Sequence, residues 1–463
     1  MRSSPRLAPT LILCLGPALL VGCNSGSRDE PRAGTAAGVN SNTAPVSTAA
    51  GTPAAPAPAS PAPSGSARLT LQDPGVQTGL QLLRGEISPE QAATSWALAG
   101  VSPAQAQDLL GRLPLTPALP AGTHPAVATI SDGYGRSTDV SLFVPATPPP
   151  AEGYPVVVFL HGLGGDSSNM QSAAVVQNAI VIAPTAQDPP AGVTFEDEAP
   201  IPLGSAFPHW WVYRDDAFAL RALDWVRERY AVDSDRVVLF GASMGGFGTW
   251  NVGLRFHDRF AKLVSAAGGI SRLEFALSDP LSRSLLVNAT MVPVWFAHGD
   301  ADTVVPVSHS QTIASDLTQL AIPFTYRELP GAGHDTAAFT QLFGEVKGQV
   351  DTALRDPSPS QIVHRAIGNY HLGAYWVELK GPKGAVSARA QGQTITVRTS
   401  EGATGATVYL DTSLVDVSQP VTVVVDGATI LSETPTASLA AVAASFARTR
   451  DPKLTYRFSV TTP

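Results

Sequence analysis

Ser243, the aspartates Asp300 and Asp302, and His334 are the residues of this chain whose types and order could carry nucleophilic chemistry. Ser243 lies in Gly241-Ala242-Ser243-Met244-Gly245, directly after Arg236-Val237-Val238-Leu239-Phe240, a G-x-S-x-G string where a strand should turn into a helix. Glycines two residues to either side let strand and helix approach closely around a serine held in strained backbone. A hydroxyl is a poor nucleophile at neutral pH, so Ser243 needs a base, and the base needs a carboxylate to orient it. Trp295-Phe296-Ala297-His298-Gly299-Asp300-Ala301-Asp302 reads as a strand ending in an acidic loop, followed by Val304-Val305-Pro306. Leu329-Pro330-Gly331-Ala332-Gly333-His334 reads as a strand end followed by a Gly-rich loop with a histidine. Each group falls just past the C-terminal end of a strand, the edge at which open α/β sheets build their sites. The chemistry would be attack on a carbonyl carbon.

Such an attack also needs two backbone N–H donors for the developing oxyanion. Met244, the residue after the serine, offers one. The other is expected from His161-Gly162-Leu163-Gly164-Gly165, directly after the buried run 156–160, with Leu163 as the donor and Gly162 as the alternative. His161 and His298 read as structural hydrogen-bonding residues beside strand ends. His209-Trp210-Trp211 lies on a loop before an amphipathic helix, where it either lines the substrate pocket by stacking or anchors the loop as buried aromatic surface. No His, Cys and carboxylate cluster has metal-ligand spacing and no Gly-rich phosphate loop is present, so neither a metal nor a cofactor is expected.

The stretch from Tyr134 to Asp335 resembles the α/β-hydrolase superfamily, especially polyhydroxybutyrate-depolymerase and feruloyl-esterase-like enzymes and predicted peptidases related to the prolyl oligopeptidase catalytic domain. Four segments carry the resemblance: PVVVFLHGLGG from Pro155, DSDRVVLFGASMGGFGTW from Asp233, HGDADTVVP from His298 and LPGAGHD from Leu329. It implies an α/β-hydrolase sheet with flanking helices, Ser243 as nucleophile and His334 as base. By the family's H-G-x-x-D spacing it implies Asp302 as the triad acid, leaving Asp300 to cap its loop. The implied activity is a serine hydrolase cleaving carboxylic esters, small or attached to a polymer, with peptidase activity through the same residues as the alternative. Prolyl oligopeptidases gate their site with a large β-propeller, and the segment ahead of the catalytic stretch is too short for one, which favours the ester. A reading of another class is a noncatalytic surface-binding protein on a hydrolase scaffold; the intact Ser, Asp and His set weighs against it. One departure stands out: these enzymes commonly have proline before Asp-Arg-Phe after the elbow helix, and here His257 precedes Asp258-Arg259-Phe260.

Around these motifs the 463 residues divide into five stretches. Residues 1–22 carry Arg2 and Arg6 and then an apolar run too short and Pro-interrupted to span a bilayer, so they read as an export signal. The run ends in Leu20-Val21-Gly22-Cys23, which resembles the bacterial lipoprotein lipobox and implies a lipid on Cys23; Asn24 in place of aspartate implies the outer membrane or cell surface. Membrane contact is then expected through the N-terminal lipid only. Losing residues 1–22 takes the formal charge from -8 to -10 and removes Cys14, leaving no cysteine pair for an intrachain disulfide. An acidic chain with no basic stripe is not expected to bind nucleic acid.

Residues 23–67 are Ala, Pro, Ser and Thr-rich, without aromatic residue, Leu or Ile, and are expected to be a disordered tether with a reach of roughly 40 Å. Residues 68–122 should form a small helical segment: Ser88-Pro89-Glu90-Gln91 and Ser102-Pro103-Ala104-Gln105 each place Ser at the N-cap, Pro at N1 and Gln at N3. Residues 123–356 alternate strand and helix, with strands at 126–130, 138–144, 156–160, 179–183, 237–240, 292–297 and 324–329 and helices at 214–229 and 308–320. Residues 357–463 read as a separate β-rich, sandwich-like module, with strands at 374–379, 386–390, 394–399, 407–411, 421–425 and 454–460 and a helix at 438–448.

Overall fold

Three Pro-initiated helices lead into the sheet: α1 (Pro74–Arg84), α2 (Pro89–Leu98) and α3 (Pro103–Gly111). Both Ser-Pro-x-Gln repeats form capping boxes, with Gln91 and Gln105 accepting the N–H of Ser88 and Ser102 at 2.8 Å. The structure, a computed structural model, describes residues 70–463 apart from 114, 117–118, 133–134, 173–175, 188–209, 211–216 and 271–278. The export signal, Cys23, the tether, His209 and Trp211 lie outside the described residues.

The chain then runs β1 (Gly122–Ser131), β2 (Ser137–Val144), β3 (Tyr154–Leu160), β4 (Ile180–Pro184), α4 (Phe218–Arg227), β5 (Val232–Ala242), α5 (Met244–Arg255), β6 (Lys262–Ala266), α6 (Pro280–Ser284), β7 (Val294–Gly299), α7 (Ser308–Gln319), β8 (Thr325–Leu329) and α8 (Thr336–Asp351). These eight strands lie in the order β1-β2-β4-β3-β5-β6-β7-β8. The β1–β2 and β2–β4 pairs are antiparallel and β3 to β8 run parallel, so β5, β7 and β8, which Ser243, Asp302 and His334 follow, all end at one edge. The continuous apolar runs have a direct cause. Val156, Val158, Leu160, Val237 and Leu239 pack toward α4, α5 and α7, while Val157, Phe159, Val238 and Phe240 pack toward Leu342, Val346 and Val350 of α8.

The chain continues through β9 (Gln361–Ala366), β10 (Gly373–Ala374), β11 (Val377–Lys380), β12 (Gly384–Gln391), β13 (Thr394–Ser400), β14 (Gly405–Leu410), β15 (Val421–Val425), β16 (Ala428–Glu433), α9 (Leu439–Thr449) and β17 (Phe458–Thr461). The sheets β10-β11-β14-β17 and β16-β15-β13-β12-β9 enclose one core, with Val377, Val408 and Leu410 facing Ile395, Val397 and Val423. Two expected strands come out differently. The 374–379 strand is split because Tyr375 takes φ 51°, and the 454–460 strand begins only at Phe458, since Asp451 caps a 3-10 turn at Pro452–Leu454.

Residues 67–463 form one compact unit. Val442, Ala443 and Phe446 of α9 share a core with Leu82, Trp96 and Leu110 of the N-terminal helices. A seam of buried ion pairs joins the sandwich end of the chain to the eight-stranded sheet and its helices: Arg355 with Asp235 at 2.8 Å and Asp451 at 2.9 Å, Arg448 with Asp258 at 3.0 Å, and Arg450 with Asp224 at 3.1 Å.

Candidate active site

Ser243 sits between β5 and α5 with φ 56° and ψ -121°, a conformation rarely adopted by residues with a β-carbon. What permits it is the space beside it. A β-carbon on Gly241 would stand 2.1 Å from the carbonyl oxygen of Gly245, and one on Gly245 would stand 1.9 Å from that of Leu160. The turn is fastened by the Ser243 N–H, which donates to Ala266 of β6 at 2.9 Å.

The loops after β7 and β8 bring two of the expected partners to the serine. His334 Nε2 lies 2.9 Å from Ser243 Oγ, and His334 Nδ1 lies 2.6 Å from Asp302 Oδ2. With Nδ1 donating to the carboxylate, Nε2 is left to accept the hydroxyl proton. Asp302 Oδ1 accepts the N–H groups of Val304 and Val305, both at 2.8 Å, so the buried carboxylate is held on both oxygens. Asp300 takes no part in this chain; its Oδ1 accepts the N–H of Gly331 at 2.6 Å and ties the two loops together.

The Gly162 loop lies directly against Ser243. A β-carbon on Gly162 would stand 3.3 Å from Ser243 Cβ and 3.8 Å from Ser243 Oγ. Gly165 N–H closes the turn onto the Gly162 carbonyl at 3.1 Å, and Leu163 stands half exposed at its tip. Met244, the first residue of α5, lies among the helix-start amides that have no partner inside the helix.

The surrounding histidines have structural bonds. His161 Nδ1 meets the Gly162 carbonyl at 2.7 Å and its Nε2 accepts the N–H of Ala186 at 2.9 Å. His298 Nε2 lies 2.9 Å from the Val305 carbonyl and 3.3 Å from Asp302 Oδ2, while its Nδ1 faces Ser310 Oγ at 2.8 Å. Burial holds both imidazoles below the ordinary histidine value, so they stay neutral. Trp210 is buried behind the same loop, its indole N–H donating to the His161 carbonyl at 3.0 Å and its side chain lying where a β-carbon on Gly248 would be. Those contacts tie Trp210 to the loop as buried aromatic surface.

Sequence reasoning missed Phe339, whose ring meets His334 edge-on with centroids 5.5 Å apart, and α8, which starts immediately after the histidine loop with Asp335 as its cap. The Asp335 cap was the available signal. It also missed the contact of His298 with Asp302. Among the described residues no group of three or more His, Cys, Asp or Glu is arranged to hold a metal ion.

Residues 131–346 match the family model Esterase, described as "Putative esterase". An uncharacterized secreted protein of Arthroderma benhamiae is 26% identical over 207 residues, which are 39% of this chain and 21% of the relative, so the chain spans about a fifth of the length of that curated relative. Among solved structures, a thermostable esterase is 24% identical, covering 49% of this chain and 62% of its own with a TM-score of 0.37. A puromycin-hydrolyzing peptidase of Mycobacterium tuberculosis is 19% identical, covering 52% of this chain and 40% of its own with a TM-score of 0.39.

Proposed function

We propose that residues 131–346, a serine hydrolase of the α/β-hydrolase superfamily, cleave carboxylic esters through an acyl-enzyme on Ser243. The observation that carries this is the file of contacts from Asp302 through His334 to the strained serine. Ser243 Oγ attacks the ester carbonyl as His334 takes its proton at Nε2, and Asp302 holds the imidazole in that tautomer and offsets the charge it gains. The N–H groups of Met244 and Leu163, with Gly162 as the alternative second donor, receive the oxyanion at the start of α5. His334 then protonates the departing alcohol, and water, activated by the same nitrogen, releases the acid.

Support for the ester over the peptide bond comes from the esterase family match. We further propose that the enzyme is exported and held at the bacterial outer membrane or cell surface by a lipid on Cys23, which Leu20-Val21-Gly22-Cys23 alone supports. Purified chain assayed on a short p-nitrophenyl ester and on a peptide anilide tests the activity. Ester turnover and fluorophosphonate labelling, both abolished in Ser243→Ala, are the expected result. Turnover of the anilide alone would make it a peptidase, and wild-type ester turnover in Ser243→Ala would overturn the assignment of the nucleophile.

A further inference from the structure

His257 stands where the resembling enzymes commonly have proline, and the acyl-transfer chemistry makes no use of it. In the structure it lies one residue past Phe256, the C-cap of α5, at the opposite end of that helix from Ser243. It is fully buried, with Nε2 3.0 Å from Nδ1 of His364 on β9, and His364 Nε2 lies 2.7 Å from the backbone carbonyl of His371. A carbonyl only accepts, so His364 carries its proton on Nε2 and accepts at Nδ1. His257 must therefore carry its own proton on Nε2 and donate. Its Nδ1 is buried with no hydrogen-bond partner among the described residues. The next two residues grip the same module: Asp258 accepts the N–H of Tyr375 at 3.1 Å and pairs with Arg448 of α9 at 3.0 Å, and Arg259 donates to the carbonyls of Arg448 and Thr449.

We infer that His257 and His364 are positioning residues: they clamp the far end of the nucleophile helix to the C-terminal sandwich, so that the sandwich holds Ser243 in register at neutral pH and lets go in acid. The inference rests on Ser243 being the nucleophile. The pair is faced by Asp258 and Arg259 from its own turn, Tyr375 from the β10–β11 turn, Arg448 from α9 and His371 from the loop after β9. A proton entering at His364 Nδ1 sets two N–H groups against each other. One entering at His257 Nδ1 puts an imidazolium beside Arg259 and Arg448, with no acceptor among the described residues, while Asp258 is already engaged by both guanidiniums. Burial accordingly holds His257 down to about 4 and His364 well below the ordinary histidine value, so acid favours the released state.

The test uses the full chain, with ester turnover, fluorophosphonate labelling and hydrogen exchange read by peptide. At pH ~7.5, His364→Leu should lower kcat about tenfold with little change in KM, and should speed exchange in the end of α5 and in β9 but not in β13. His364→Asn, which keeps an acceptor for His257, should restore kcat to within about threefold of wild type. Wild-type chain taken from pH ~7.5 to ~4.5 should lose protection in the same segments after correction for intrinsic exchange, and the pair His257→Gln with His364→Asn should keep it. The wild-type pH series and the Asn rescue do not depend on the Leu variant folding. Wild-type kcat and protection in His364→Leu, or protection in α5 and β9 that is flat with pH in the wild type, would overturn the clamp. The expected exchange pattern in a chain with no labelling and no ester turnover would refute the esterase and, with it, the positioning role, while leaving the pH-dependent contact of α5 with β9 in place.

Discussion

Asp300 and Asp302 are two residues apart and take opposite parts: Asp302 is buried with Oδ2 2.6 Å from His334 Nδ1, while Asp300 faces the loop surface with Oδ1 on the N–H of Gly331. The turn between them sends one carboxylate to the imidazole and the other to backbone. Their substitutions should therefore separate. Asp302→Asn leaves the shape but favours the wrong tautomer of His334, and kcat should drop by about 10³- to 10⁴-fold. Asp300→Asn should stay within about tenfold of wild type, since it disturbs one loop bond of roughly 1 kcal/mol. Steady-state kinetics of the two variants on one ester check this, and equal losses would reverse the assignment.

Trp96 is buried, donates its indole N–H to the Gly75 carbonyl at 3.0 Å and packs in the core that α2 shares with α9. Trp96→Ala should cost about 3–5 kcal/mol in the denaturant unfolding of the chain. Because α9 belongs to the far end of the chain, exchange protection in residues 439–449 should fall with it. Loss confined to residues 70–113 would mean that the helices fold apart from the rest.

Stability should fall in acid in two windows. His257 is unprotonated when folded down to about 4, against about 6.5 when unfolded, so the unfolded chain binds the extra proton first. Its contribution, about 3 kcal/mol, is complete above pH ~6.5 and is lost as the pH falls through ~4. Asp451 shows the carboxylate counterpart. Burial pushes it up, but Arg355 and Arg227 outweigh burial and bring it to about 2, so its contribution survives to lower pH and is lost between about 3.8 and 2. Unfolding midpoints measured from pH ~7 down to ~3 should decline in the wild type from ~6.5 onward. The first decline should flatten in the His257→Gln, His364→Asn pair, and an unchanged slope there would exclude these histidines as its source.

How much of this was legible in the sequence follows from what each residue touches. The β3 and β5 runs were readable because both faces are buried, and β15 because Val421–Val425 is nearly all valine. β6 was not, since Lys262 and Ser265 break the apolar run; Lys262 reaches Gln349 and Ser265 caps the Gly246 carbonyl. β9 was hidden for a related reason: its inward positions include His364, a polar residue buried for its partner rather than for its hydropathy. The order Ser243, Asp302, His334 could be read because each follows a strand end. The pairing of His257 with His364 joins positions 107 residues apart, and no local pattern announces it.

The core shared by α1, α2, α3 and α9 also sets an order of events. Gln107 donates to the carbonyl of Thr455, a bond across 348 positions, and Trp96 waits for Phe446 before its surroundings are complete. During synthesis α1, α2 and α3 thus expose their apolar faces until α9 has been made. That core closes only once α9 has emerged, through a contact of high sequence separation, and an intermediate cut short of α9 carries a sticky surface on α1 to α3.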